Sequence, residues 1–183
     1  MAVAAPARKR HALITLTFAA VAVACSDPQQ ATSPSQKNLT ADAPRYTAGV
    51  GLAGPLLGRA SSPEGLKLKR KNGKWEFDMN AKDPFDLAVQ SLTFQPGGHS
   101  GWHSHPGPVL LQVTSGTVTF YEADDPSCTP VVKTAGQLFM ETGEHSHIGR
   151  NETGTTATAI AVVFAPPGSA LRIDEPASSN CSF

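Results

Sequence analysis

Hydrophobic and polar residues alternate in short runs along the second two-thirds of the chain. Such alternation is typical of strands whose two faces meet different surroundings, and no stretch carries an apolar stripe of helical period over three turns. Asn72-Gly73 interrupts the first run and predicts a tight hairpin turn. The predicted strand segments are 66–79 (a hairpin), 86–94, 108–116, 117–122, 129–136, 137–143, 145–151 and 155–168. Eight or more short antiparallel strands predict an all-β sandwich or a small closed barrel.

The composition of the chain supports an all-β domain and argues against nucleic acid or an anionic membrane surface as its partner. The chain has 183 residues with 16 glycines and 15 prolines, which suits one domain of short strands and tight turns. Its 15 basic and 15 acidic side chains cancel, so no long-range field favours nucleic acid or an anionic membrane surface. The basic residues between Lys67 and Lys74 are interpreted as a solvated face of the hairpin.

The N-terminal residues have the pattern of an export signal. A basic stretch, 8–11, precedes an apolar run over 12–24, which is too short to span a bilayer as a helix. The run ends in VAVAC and resembles the lipobox of bacterial lipoproteins, which implies that residues 1–25 are a signal peptide and that Cys25 carries lipid. Ala22 stands where such boxes prefer Leu, so plain secretory cleavage stays open. Either route predicts a periplasmic or cell-surface protein that touches the membrane only through a lipid anchor.

The segment that follows, 26–62, is rich in Ser, Thr, Pro, Gln, Ala and Gly. It has too few large apolar side chains to offset its chain entropy, and we predict a disordered linker. The stretch 49–60, which contains several leucines, could instead dock on the domain as an added edge. The folded domain is predicted over 63–176, with a C-terminal tail over 177–183.

Two cysteines remain after the signal, Cys128 and Cys181. An exported domain with two cysteines predicts one disulfide between them, which would pin the C-terminal tail. In the chain-entropy model, closing such a loop stabilises the fold by roughly 4 kcal/mol. Two unpaired buried thiols are the alternative.

The histidines are unevenly distributed. Three of the six, His99, His103 and His105, fall within seven positions. Because residues i and i+2 share one face of a strand, His103 and His105 point the same way, and His145 and His147 repeat the spacing. Two such imidazoles can bind one metal ion if a third ligand comes from a neighbouring strand. A polar barrel rim without metal is the alternative.

These spacings resemble the cupin motifs, G(X)5HXH(X)3,4E(X)6G and G(X)5PXG(X)2H(X)3N. Gly97, His103, His105 and Gly116 reproduce every interval of the first motif, with Val109 in the place of its glutamate. The resemblance implies a double-stranded β-helix, or jelly-roll barrel, that holds a metal through three histidines and one glutamate. Together with the terminal Asn-Cys pair, the motif is most similar to small exported single-domain cupins of bacteria.

The second motif is matched less completely. It begins at Gly136 and ends with His147 and Asn151, but Thr142 stands where the motif has proline. The interval between Gly143 and His147 also departs from the motif by one residue. His147 is preferred over His145 as the third ligand because Asn151 follows it at the motif spacing.

The missing glutamate changes the expected site. By strand parity Val109, Leu111 and Val113 face inward, and Gln112 faces the other way. Glu141 and Glu144 are nearby carboxylates, but neither falls on a ligand position of the motif. We therefore predict three histidine ligands, His103, His105 and His147, in a pocket with an apolar wall.

Three neutral imidazoles leave a divalent ion its full charge and open coordination positions, which suits anionic, chelating ligands. Affinity alone does not choose among Fe, Mn, Zn, Ni and Cu. His99, His145 and Asn151 are candidates for orienting the ligands or contacting the substrate. Arg150 is a candidate for binding a substrate carboxylate, and Trp102 for lining the mouth, although a surface arginine and a packing tryptophan are the simpler interpretations.

The resemblance implies an oxygenase, isomerase or lyase acting on a small oxygenated molecule. The alternative is a non-catalytic module that binds a small ligand or a metal at the cell surface. The absence of a motif glutamate and of an evident general base favours the alternative. Pairing of barrel edges into a homodimer is also expected from the resemblance.

Overall fold

The computed structural model describes residues 46–183. The predicted signal peptide, Cys25 and the first part of the predicted linker lie outside the described residues. Within 46–183, nothing helical is long and apolar enough to cross a bilayer. The strands are β1 (Val50–Ala53), β2 (Leu56–Ser62), β3 (Leu66–Asn72), β4 (Trp75–Ala81), β5 (Phe85–His99), β6 (His103–Ser104), β7 (Val109–Ser115), β8 (Thr117–Glu122), β9 (Val131–Thr134), β10 (Leu138–Glu141), β11 (His147–Arg150), β12 (Ala157–Ala165) and β13 (Ile173–Asp174).

One antiparallel sheet curls into a nearly closed barrel around β5, the longest strand. β12 pairs with β5 along nine residues and with β7 on its other side, and β10 pairs with β7. β11 joins the far end of β5 to β6 and β8, and β13 pairs with β6. The predicted all-β class is confirmed, and the fold is a double-stranded β-helix. β5 runs to His99, beyond the predicted end at residue 94.

The barrel core follows the predicted strand parity. Val109, Leu111 and Val113 are buried and Gln112 is exposed, so β7 turns its odd-numbered residues inward. β12 alternates in the same way over its full length. Burying these aliphatic and aromatic side chains supplies the main stabilising term of the fold.

The predicted linker is wrong for residues 50–62, which form β1 and β2. Both strands pair with β5, on the edge that β12 leaves free, and Leu52 packs against the barrel core. The side chains of β2 are almost all exposed, so backbone hydrogen bonds hold this strand rather than an apolar face. The folded unit therefore begins well before residue 63. Residues 49–60 form the added edge of the sheet that the sequence offered as the alternative to a disordered linker.

The hairpin predicted over 66–79 is formed by β3 and β4. Its two-residue loop is Gly73–Lys74, one position later than the predicted turn, with Asn72 paired to Trp75. Gly73 has a φ of 59°, a conformation that favours glycine in such loops.

The predicted disulfide, Cys128–Cys181, is present and closes a sequence separation of 53 residues. It lies beside a second buried cluster made by Trp102, Tyr121 and Ile148. The last residue, Phe183, stacks on Trp102 with ring centroids 6.4 Å apart. The tail is thus attached both covalently and by aromatic packing.

Asp86 joins β2 to the turn that follows β12. Its carboxylate accepts hydrogen bonds from Ser61 Oγ at 2.6 Å, Arg59 Nε at 2.7 Å and Gly168 N at 2.8 Å. The bond from Ser61, followed by those from Gly168 and Arg59, lowers the pKa of Asp86 to about 2. Because the pKa is lowered from 3.8, this stabilisation is complete above about pH 4 and is lost as pH falls through about 2.

We expect Asp86→Asn to lower the midpoint of thermal unfolding at pH 7 by at least about 5 °C, because it breaks a buried charged network. The difference from the wild type should shrink as pH falls from 4 to 2, because the Asp86 carboxyl group then takes up a proton and becomes neutral, as the amide already is. Scanning calorimetry between pH 7 and pH 2 measures the unfolding midpoints of both proteins. Asp83→Asn, which changes an exposed neighbour, is the control. An unchanged midpoint at pH 7 would contradict the assigned role.

Candidate metal centre

Three histidines meet at one end of the barrel. His103 on β6 and His147 on β11 are direct cross-strand partners, and His105 follows β6 two residues after His103. The ring centroids are 4.3 Å apart for His103 and His147, 4.8 Å for His103 and His105, and 5.3 Å for His105 and His147. All three residues are buried, and their ligand atoms lie within 4.8 Å of one another. The three histidines are therefore positioned to bind a metal ion.

Backbone carbonyls fix the orientation of each ring. His103 Nδ1 lies 2.9 Å from Gly101 O, and His105 Nδ1 lies 2.6 Å from Leu171 O. His147 Nδ1 lies 3.2 Å from His145 O. Since a carbonyl only accepts, each Nδ1 carries the proton and donates it, and each Nε2 keeps its lone pair. This is the tautomer that a metal site requires, held by contacts that also set the ring orientation.

A carboxylate lies in the same place. Glu141 Oε2 is 3.2 Å from His105 Nε2 and 3.1 Å from His147 Nε2, and its side chain is only 6% exposed. That oxygen is buried and receives no hydrogen bond from the described residues. Glu141, which falls on no ligand position of the motif, thus lies beside two of the three predicted histidine ligands.

The donor set fits a cation. Nε2 of His105 and Nε2 of His147 lie 3.2 and 3.1 Å from one carboxylate oxygen of Glu141, and the ligand atoms of the three histidines lie within 4.8 Å of one another. Converging acceptors repel one another unless a positive charge lies between them. Imidazole and carboxylate ligands suit first-row divalent ions. His103, His105 and His147 would hold such an ion.

The pKa values of His103 and Glu141 reflect how closely these ionisable side chains are buried together. Burial, together with the neighbouring His147, lowers the pKa of His103 to about 2. Burial also raises the pKa of Glu141, but the close approach of the His105 and His147 rings outweighs burial and brings the pKa to about 2. A neutral imidazole and an ionised carboxylate are the forms that bind metal.

The site opens into a cavity of about 300 Å³. This volume is at the lower end of the range for small-molecule pockets. Most of its wall is apolar, and β1 with its flanking residues contributes Gly49, Leu52 and Gly54. The other apolar lining residues are Leu92, Phe94, Val109, Leu111, Phe120, Ala161, Val163 and Leu171. The cavity therefore fits a small ligand that meets the three histidines at one end.

Two predicted orienting histidines do not orient the ligands with their rings. His145 is exposed and its Nδ1 lies 3.3 Å from Asp124, although its backbone carbonyl positions His147. His99 Nδ1 accepts a hydrogen bond from Gly101 N at 3.1 Å and so supports the loop before His103. His145 therefore orients His147 through its own carbonyl, and His99 acts on His103 through the backbone of the loop between them.

Three other candidates lie outside the cavity wall. Arg150 is stacked over Phe183 at 4.0 Å and donates to Glu152, and Trp102 is buried beneath the same tail. Asn151 is buried and its Nδ2 donates to Phe94 O and Thr155 O, so it holds the turn after β11. None of the three lines the cavity. The packing interpretation of Trp102 is the one that the structure supports.

Arg172 is a cavity residue that sequence reasoning missed. It lies between Leu171, whose carbonyl binds His105, and β13, which pairs with β6 beside His103. Among the cavity residues of the described chain, 46–183, it is the only Lys or Arg. Its charge contributes to the lowered pKa of His103, after burial and His147. The only sequence signal was its position just before a short apolar-polar segment, which is too weak to single it out.

The fold and the site together define a double-stranded β-helix with a three-histidine cluster suited to a metal. Residues 90–163 match the family model described as "Cupin domain". The chain thus contains a cupin-type domain, as the sequence motifs predicted. Among curated proteins no relative matches.

Solved structures with this fold are remote from the chain. A protein with a double-stranded β-helix domain from Klebsiella pneumoniae is 19% identical, with a TM-score of 0.42, over 49% of this chain and 75% of its own. A cupin-like protein from Thermotoga maritima is 21% identical, with a TM-score of 0.42, over 50% and 65%. A structure of oxalate oxidase is 21% identical, with a TM-score of 0.41, over 48% and 45%, so less than half of that protein is covered.

Proposed function

We propose that the protein is an exported metal-dependent enzyme that acts on a small anionic, oxygenated molecule in the barrel cavity. The reaction classes that suit such a site are oxygenase, isomerase and lyase chemistry. The observation that carries the proposal is the convergence of three oriented Nε2 atoms at one end of a small apolar cavity that also contains Arg172. One divalent ion bound by His103, His105 and His147 is the implied cofactor.

Each part of the cavity has a distinct role in this proposal. A bound divalent ion supplies Lewis acidity, and with a redox-active metal also electron transfer. Arg172 binds the carboxylate of the ligand through its two terminal nitrogens, since its Nε already donates to Asp174 and a guanidinium can offer a carboxylate two parallel hydrogen bonds. The apolar walls exclude water, which strengthens both electrostatic contacts.

Export is part of the proposal and rests on the N-terminal sequence. The basic stretch, the short apolar run and VAVAC at residues 21–25 support a signal peptide with Cys25 as the lipidated residue. The disulfide agrees with an oxidising compartment. Mass spectrometry of the protein isolated from bacterial membranes tests this, because a chain that keeps residues 1–24 would contradict it.

Arg172→Gln should weaken the binding of small carboxylates by roughly 10- to 100-fold, as expected for the loss of a charged hydrogen-bonded pair. Calorimetric titration of the metal-loaded chain with 2-hydroxy- and 2-oxo-carboxylates of two to four carbons measures the affinity. Arg150→Gln is the matched control, because Arg150 lies on Phe183 outside the cavity wall. Equal losses in both variants would contradict the role of Arg172.

Turnover is tested separately from binding. The iron-loaded chain is assayed for oxygen uptake with diketones, catechols and the same carboxylates, and the zinc- and nickel-loaded chains for isomerised or cleaved products. Turnover that Arg172→Gln reduces and Arg150→Gln preserves supports the enzyme. Binding without turnover under any metal would replace it with the second candidate below.

A non-catalytic binding module is the second candidate. The observation that favours it is the lack of Lys, Tyr, Cys or Asp among the residues that line the cavity in the described part of the chain. Its one carboxylate, Glu141, already contacts two of the histidines. A general acid or base independent of the metal cluster is therefore not provided by the cavity wall.

A further inference from the structure

We propose that Glu141 is a fourth metal ligand and takes the role of the glutamate that the first motif lacks. The inference rests on the proposed metal site and adds a residue to it. It implies that the acidic ligand of this centre has changed strand, from the β7 position that Val109 occupies to the neighbouring strand β10.

The strand register places the two positions side by side. Glu141 at the end of β10 is the direct antiparallel partner of Val109 at the start of β7. Directly paired residues share a face of the sheet, with Cβ atoms about 4.5–5.5 Å apart. Both residues line the metal-site cavity. A carboxylate on Glu141 therefore enters the space that a carboxylate at position 109 would enter.

The position of this carboxylate favours a cation beside it. Its Oε2 is buried without a hydrogen-bond partner among the described residues, although two Nε2 atoms lie within 3.2 Å of it. One imidazolium ring could supply a donor to this oxygen, but it would leave the facing nitrogens of the other two histidines without a donor in the same buried space. One divalent ion satisfies all of these acceptors at once.

The carboxylate also changes the charge of the centre. Three neutral imidazoles leave a divalent ion at a net charge of about +2, and one carboxylate reduces this to about +1. A ligand that brings a single negative charge then neutralises the metal cluster. Arg172 lines the same cavity, and because its Nε already donates to Asp174 at 2.6 Å, its two terminal nitrogens are the donors for a second negative charge.

Metal affinity tests the inference directly. Competition titration of Co(II) against a chromophoric chelator gives the dissociation constants of the wild type, Glu141→Gln and Glu144→Gln. We expect Glu141→Gln to bind Co(II) at least about 100-fold more weakly, above the usual effect of residues that only orient ligands. Glu144→Gln, an exposed neighbour whose backbone N donates to His105 O, should match the wild type.

Moving the carboxylate back gives a second, independent readout. The double variant Val109→Glu/Glu141→Val should recover at least about tenfold in Co(II) affinity over the single variant Glu141→Val. A role of Glu141 in local packing alone predicts no recovery. The visible absorption of bound Co(II) should also differ between the wild type and Glu141→Gln, since it reports the ligand set.

The outcomes separate this inference from the proposed function. If the wild type binds no Co(II), the metal site itself is wrong and the inference falls with it. If the wild type binds one equivalent and Glu141→Gln binds within twofold, the metal site stands and the inference is overturned. If the variants do not fold, the distance from a bound Co(II) to Glu141 Oε2 in wild-type crystals decides, with about 2.0–2.2 Å expected and more than about 3 Å contradicting it.

Discussion

Replacing His147 with alanine should abolish stoichiometric metal binding. His147 is 2% exposed and is the partner of His103 across the ladder, so its loss removes one of the converging nitrogens and leaves Glu141 beside an incomplete site. Structural zinc sites bind with about 10–16 kcal/mol, so each of four ligands accounts for roughly 3 kcal/mol, or at least about 100-fold in affinity. Metal content by elemental analysis should fall from about one ion per chain to below about 0.1.

His145→Ala is the matched control for this variant. The two histidines belong to the same His-x-His pair, but the side chain of His145 is exposed and lies near Asp124. Its backbone carbonyl, which orients His147, is kept by the substitution. We expect the wild-type metal content, and near-ultraviolet circular dichroism to show that both variants are folded. Metal loss in His145→Ala with retention in His147→Ala would reverse the assignment.

The second large effect is expected from the disulfide. Cys128→Ser/Cys181→Ser opens a loop with a sequence separation of 53 residues and should lower the free energy of unfolding by about 4 kcal/mol. The C-terminal tail should then detach from the cluster of Trp102, Tyr121 and Ile148. Without the bridge, only the packing of Phe183 opposes the conformational entropy that the tail loses when it is ordered. Urea unfolding measures the stability.

Tryptophan fluorescence reports where the stability is lost. The chain has two tryptophans, and Trp75 on the hairpin is 58% exposed while Trp102 is 3% exposed. In a Trp75→Phe background, the emission of Trp102 should shift to longer wavelength when the bridge is absent. A stability change below about 1 kcal/mol with unchanged emission would show that tail packing is independent of the bridge.

The parts of the site that lie along one strand could be predicted from the sequence. His103 and His105 share a face by simple alternation, and the same count placed Val109 inward and Gln112 outward, as observed. The disulfide followed from counting the cysteines of a chain with a predicted export signal. These inferences needed only the strand period and the spacing within a motif.

Residues that reach the site across strands could not be predicted in this way. Glu141 is brought to Val109 by the register between β10 and β7, and a linear motif contains no information on that register. Arg172 reaches the cavity because β13 pairs with β6, whereas Arg150, which stood next to the second motif, turns toward Phe183. In each case a non-local pairing decides which charged side chain enters the cavity.

The N-terminal strands were predicted only as an alternative to a linker, and the reason is different. β2 has almost entirely exposed side chains and is held by backbone pairing to β5, so it has no hydrophobic alternation to detect. The N-terminal segment matters for the cavity as well as for the sheet, because Gly49, Leu52 and Gly54 line the cavity. A chain cut at residue 63 would lack part of the cavity wall.

We propose that three backbone-oriented imidazoles bind one metal ion inside the barrel, and an anomalous difference map of the wild-type chain crystallised with Co(II) shows where the ion lies. We expect one strong peak per chain at about 2.0–2.2 Å from Nε2 of His103, His105 and His147. Rings that diverge from a shared centre, or peaks only elsewhere on the protein, would contradict it.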